Sequence, residues 1–143
     1  MPGRPTVLFV CARNAGKSPM AAGLMALRAG DAVEVGSAGT QPGAAVNPLS
    51  ATTLAEVGVD IGDHVPRALT PELLRAADVV VVLGREARVA APPGTPVETW
   101  DTDEPSLRGI EGLERMRLVR DDIAQRVDAL YRRLSDGYVT VSS

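Results

Sequence analysis

The apolar positions of this chain follow two patterns: short unbroken runs rich in β-branched residues, and longer stretches that repeat every three or four positions. The first run, residues 6–10, reads as a buried strand. A polar loop at 11–17 separates it from a helix over 19–29, opened by Ser18 and Pro19. Met20, Leu24 and Leu27 share one face of that helix, and Gly30 stops it. Residues 33–35 read as a second strand, leading into the small residues Gly36 to Thr40, which let backbone approach the 11–17 loop closely. A helix over 48–57 is capped by Asn47 and ended by Gly58. A surface connection through His64 follows, then a short helix from Thr70-Pro71 to Ala76.

Residues 78–83 form the strongest strand signal, apolar on both faces and therefore central in a parallel sheet. A short helix over 84–91 is expected, broken by Pro92-Pro93-Gly94, and residues 97–100 read as a fourth strand. The polar loop 101–112 holds Asp101, Asp103 and Glu104 close together. A long helix over 113–134 carries one apolar stripe of Met116, Val119, Ile123, Val127, Leu130 and Leu134. Asp122 with Arg126, and Asp128 with Arg132, are i,i+4 pairs on its wet side. Gly137 ends it, and 138–143 reads as a short strand or a tail.

Strands alternating with helices predict a parallel sheet with helices on both faces, in one domain spanning 1–143. The sites of such sheets lie at the carboxyl ends of the strands, where Cys11 and the acidic loop both fall. Composition narrows the class. A net charge of −3 argues against a nucleic-acid binder, and no apolar run approaches membrane-spanning length. The N-terminus leads straight into the first strand, so no signal peptide is expected. One cysteine excludes an internal disulfide within this sequence and fits a reducing cytoplasm. Lys17 is the only lysine among 15 basic residues.

The loop carries the chemistry. A loop entering a helix N-terminus aims backbone N–H groups at an anion. Cys11 sits at a strand–loop junction, near a helix N-terminus and six residues from a cation, surroundings that favour the nucleophilic thiolate. Lys17 at a helix start opposes the dipole unless it holds an oxyanion. Asn14 can brace the loop; Ser18 can cap the helix, donate to the thiolate, or both. Arg13 can steer an anion or a thiol, or be an exposed loop residue. His64 reads as a partly exposed loop residue bonding to backbone. Ala15-Gly16-Lys17-Ser18 matches the end of a nucleotide-binding loop. Cys11 replaces its first glycine, however, and Asp78 precedes its apolar run instead of following it, so nucleotide binding is disfavoured.

The run from Cys11 through Ala12, Arg13, Asn14, Ala15, Gly16, Lys17 and Ser18 to Pro19, with Ser37-Ala-Gly-Thr40 and the acid–Pro pair Glu104-Pro105, resembles the low-molecular-weight tyrosine phosphatase family, which includes thiol-linked arsenate reductases. The resemblance implies a three-layer α/β/α fold on a four-stranded parallel sheet. It also implies attack by Cys11 on a phosphate-like centre held by the amides of 12–18, with Asp103 or Glu104 as general acid. Lys17 stands where the family usually has arginine. Trp100 is the only aromatic near either loop, which weakens a phosphotyrosine reading. Gly16 and Gly84 occupy the stretches where thioredoxin-coupled reductases carry further cysteines. What remains resembles the single-cysteine, mycothiol-coupled arsenate reductases of actinobacteria. That implies arsenate as substrate, mycothiol as thiol co-substrate, a separate redoxin, and neither a metal nor a tightly bound cofactor. A phosphomonoester phosphatase and a non-catalytic oxyanion binder are the alternatives.

Overall fold

The apolar runs pair side by side in a computed structural model that describes residues 4–137. Strand β1 (Thr6–Cys11) lies between β2 (Glu34–Gly39) and β3 (Val79–Leu83), and β4 (Val97–Trp100) completes a parallel sheet of order β2-β1-β3-β4. Every residue of β3 is buried, as a run apolar on both faces requires. Helices α1 (Lys17–Ala29), α2 (Pro48–Ala55) and α4 (Gly112–Ser135) cover one face, where Val7, Phe9 and Val81 meet Met20, Ile123 and Leu130. Helix α3 (Pro71–Ala76) covers the other through Leu74, against Leu8, Val80 and Val82. This is the three-layer α/β/α fold expected. The membrane expectation has a limited counterpart: no helix among the described residues is long and apolar enough to cross a membrane.

Several local expectations are corrected. Helix α1 starts at Lys17 with Gly16 at its N-cap and no side-chain cap, so Ser18 does not cap it. Leu27 is 59% exposed while Met25 is fully buried. The buried arc of α1 centres near Ala21 and Leu24, and at 3.6 residues per turn Leu27 falls about 90° from that centre. Strand β2 runs on through Ser37, Ala38 and Gly39, which pair with Phe9, Val10 and Cys11. Small residues give no hydrophobic signal, so the longer strand was invisible to periodicity. Helix α2 stops at Ala55, short of Val57. No helix forms over 84–91; Gly84 takes a positive φ of 88° and Ala87 alone of that stretch is buried. A short 3-10 turn, Pro105–Arg108, interrupts the acidic loop. The expectation for 138–143 lies outside the described residues.

Two clusters pin α4 to the rest. Glu98 on β4 is 3% exposed and accepts from both terminal nitrogens of Arg133 at 2.7 and 2.8 Å, while Trp100 Nε1 donates to it at 3.2 Å. A buried carboxylate of this kind is tolerated because it is paired and hydrogen-bonded. At the other end Glu56, just past α2, accepts from Arg117 at 2.6 Å and Arg120 at 2.8 Å. The Arg117 guanidinium, helped by Arg120, pulls the Glu56 carboxyl down to about 2. A depressed folded-state pKa stabilises above the unfolded value and is lost as pH falls through the folded one.

Two outcomes follow from this packing. The melting-temperature gap between wild type and Glu56→Gln is constant above about pH 5. It closes as pH approaches 2 in a thermal-melt series; a gap that does not vary with pH would show that charge pairing is not its source. A Cβ on Gly39 would sit 2.8 Å from Ala12 O and 2.9 Å from Asn14 N, both backbone atoms. Gly39→Ala therefore destabilises by about 1–3 kcal/mol in denaturant unfolding.

Candidate active site

The peptide carbonyls of the 11–16 loop are all drawn outward. Thr40 N donates to Cys11 O at 3.2 Å, Gln41 N to Ala12 O at 2.7 Å, and Gly43 N to Arg13 O at 2.9 Å. Asn47 N donates to Ala15 O at 2.7 Å and Met20 N to Gly16 O at 3.1 Å. His64 Nε2 lies 2.9 Å from Asn14 O. With every carbonyl committed, the amides of the loop are turned away from these partners. Those of Arg13, Ala15 and Gly16 find no acceptor among the described residues. A bowl of N–H groups at a helix N-terminus is an anion site.

Cys11 Sγ sits against this bowl, with Asn14 N donating to it at 3.2 Å and Ser18 Oγ 3.0 Å away. Both contacts suit a sulfur carrying negative charge. Ser18 is in turn held by Asn14 Nδ2 at 2.8 Å. Asn14 is buried with a positive φ of 52°, a conformation uncommon outside glycine, and four residues hold it there. Besides Ser18 and the Sγ contact, its Oδ1 accepts from Arg67 N at 3.0 Å and lies 3.2 Å from His64 Nε2. His64 thus bonds to backbone as expected, but the backbone is that of the loop. Arg67 was not singled out by sequence. Its Nε donates to Ser37 O, and residues 67–69 run alongside Gly39.

A cleft of about 730 Å³ opens over the bowl at the carboxyl ends of β1, β3 and β4. Of the residues singled out, Cys11, Ala12, Arg13, Ala15, Gly16, Lys17, Asp103 and Glu104 line it; Asn14 and Ser18 are buried behind it. No aromatic side chain lines it among the described residues. Trp100 is instead buried against Phe9, ring centroids 5.7 Å apart. Arg13 is exposed with no ionic or hydrogen-bonded side-chain partner among the described residues.

The two candidate acids are placed differently. Asp103 is gripped by Arg108 through both guanidinium ends, at 2.8 and 3.1 Å, and that pairing holds its carboxyl below the usual range. Asp101 is likewise paired with Arg85 at 2.6 Å and likewise depressed. Glu104 instead reaches across the cleft and pairs with Lys17 Nζ, with Arg115 Nη2 3.6 Å from its other oxygen. Asp122 and Arg126, read from sequence as a solvated pair, brace this loop: Asp122 accepts from Asp103 N at 2.8 Å and Arg126 donates to Asp101 O at 2.8 Å. Among the described residues no cluster of three or more His, Cys, Asp or Glu could hold a metal.

Comparison with known proteins agrees with this geometry. Arsenate reductase 1 of Staphylococcus epidermidis is 31% identical over 134 residues, 92% of this chain and 98% of its own. An arsenate reductase of Halalkalibacterium halodurans is 34% identical over 134 residues, 87% of this chain and 93% of its own. Among solved structures, a thioredoxin-dependent arsenate reductase of Corynebacterium glutamicum superposes with a TM-score of 0.78 at 33% identity, over 93% of this chain and 63% of that longer one. An arsenate reductase in its phosphate-binding state gives 0.74 at 28% identity, over 91% and 98%. Residues 6–138 match the family described as low molecular weight phosphotyrosine protein phosphatase, and with relatives of this identity and coverage the chain belongs to that family, on the side of its arsenate reductases.

Proposed function

We propose that this protein is an arsenate reductase that works as an arsenate–thiol transferase, with mycothiol as the thiol. The observation that carries the reading is a lone cysteine seated on an amide-lined bowl, under a cleft with an acid poised across it. Arsenate settles in the bowl against the amides of 12–18 and Lys17. The Cys11 thiolate attacks arsenic, and an arsenic–oxygen bond breaks. Glu104 is the better placed donor of the proton that lets this oxygen leave as water. Asp103 is committed to Arg108 and held ionised, so it serves to shape the loop.

The Cys11–arsenic adduct needs a second thiol, because no other cysteine exists in this sequence to attack it. The cleft has room for one: its volume is that of sites for drug-sized molecules, well beyond a tetrahedral oxyanion. An incoming thiolate attacks arsenic and Cys11 leaves as thiolate, restoring the enzyme. Up to this point arsenic remains pentavalent. A redoxin thiolate then attacks the sulfur of the released arseno-thiol. Two electrons pass to arsenic as the sulfur–sulfur bond forms, and arsenite departs. A cytoplasmic setting supplies these reduced thiols.

Arsenate turnover is expected with mycothiol and a redoxin, and none without a small thiol. Arsenite formed with no added small thiol would sink the transferase scheme. Rapid aryl-phosphate hydrolysis in the same buffer, with no arsenate turnover, would assign the cleft to a phosphatase instead. Cys11→Ser abolishes turnover. Glu104→Gln lowers kcat by about 10²- to 10⁴-fold, the usual worth of general acid catalysis. Asp103→Asn has a far smaller effect on kcat; steady-state kinetics on the two variants checks the assignment, and equal losses would refute it.

A further inference from the structure

Two buried side-chain polar atoms among the described residues have no hydrogen-bond partner, Arg115 Nε and Thr102 Oγ1, and both residues line the same cleft. A buried donor without an acceptor costs stability, and folded proteins keep few of them. Of the other arginines on the cleft wall, Arg85 holds Asp101 and Arg108 holds Asp103, while Arg13 is exposed to solvent. Arg115 is different. Its nearest anion, Glu104 Oε2, is 3.6 Å from Nη2, too far for a hydrogen bond, and Nε has nothing.

At the start of α1 the cation beside the bowl is a lysine. Lys17 offers a point charge, whereas a tetrahedral oxyanion is gripped best by a planar fork. Lys17 and Arg115 face each other across the single carboxylate of Glu104, which already stands between them as an anion. To donate a proton Glu104 must first be neutral. A neutral Glu104 leaves both cations without a counter-charge, and an arriving dianion supplies one.

We propose that Arg115, from the first turn of α4, is an oxyanion-binding residue that sets a guanidinium opposite Lys17, its Nε–H and Nη–H donating to the oxygens of the oxyanion. The proposal rests on reading the bowl as an oxyanion site.

The test needs no turnover. Cys11 is alkylated with iodoacetamide under increasing arsenate or inorganic phosphate, each variant being scaled to its own ligand-free rate. In wild type both anions protect Cys11. Arg115→Ala raises the half-protecting concentration by about tenfold or more, the worth of a charged hydrogen bond. Arg115→Lys, which keeps the charge and most of the packing, recovers only part of this, and methylguanidinium added to Arg115→Ala restores protection. The same loss persists when Arg115→Ala is made in a Glu104→Gln background, since Arg115 touches the anion itself. Protection of both Arg115 variants at the wild-type concentration would overturn the proposal. So would a loss that vanishes beside Glu104→Gln, which would make Arg115 only a support for Glu104. Failure of either anion to protect wild type would instead overturn the oxyanion site as a whole.

Discussion

The site depends on the direction in which six consecutive peptide carbonyls point. From Cys11 to Gly16 each carbonyl is held from outside the loop, by backbone N–H groups of residues 20 to 47 and by His64. A peptide plane has its N–H opposite its carbonyl, so fixing one aims the other. The bowl is therefore built before any ligand arrives. An anion entering it meets oriented dipoles that need no reorganisation, which is the condition under which electrostatic stabilisation contributes most to catalysis. Asn14 is the joint of this arrangement. Its left-handed backbone turns the chain, and its side chain ties Ser18, His64 and Arg67 into one network beneath the sulfur.

The packing of the fold serves that geometry at its points of closest approach. Strand β2 ends in Gly39 because the loop backbone lies where a side chain would stand. Helix α4 reaches the cleft from the other side. Its Glu98–Arg133 and Glu56–Arg117–Arg120 clusters set the helix against β4 and α2. From that base Asp122 and Arg126 hold the acidic loop, and Arg115 enters the cleft. Removing a brace such as Asp122 therefore reaches the site through the backbone of Asp103, without touching substrate.

The cleft divides its acids by their partners. Asp101 and Asp103 each sit with an arginine that keeps them charged, so they act as parts of the wall. Glu104 is shared between Lys17 and a more distant Arg115, and it alone of the three spans the cleft toward the bowl. Lysine in place of a loop arginine thus has a structural counterpart: its partner lies across the cleft, and a guanidinium stands on the far side of that partner. Among the described residues the cleft wall carries no aromatic side chain.

The strand–loop–helix around Cys11, the central β3 and the acid loop after β4 were legible in the chain, because each is written in local signals: an unbroken apolar run, a proline beside a polar cap, and a lone cysteine ahead of a lone lysine. Ordering along the chain was also enough to bring Cys11 and Glu104 to one end of a parallel sheet. Pairing was not legible. Whether Ser18 capped a helix or served the sulfur, and whether Asp103 or Glu104 faced the bowl, depends on partners 7 to 87 residues away. Asp122, Arg126, Arg67 and Arg115 look like ordinary polar residues in sequence, since nothing in their local context differs from a solvated surface. Periodicity reports which face a residue occupies; only the tertiary structure decides what that face meets.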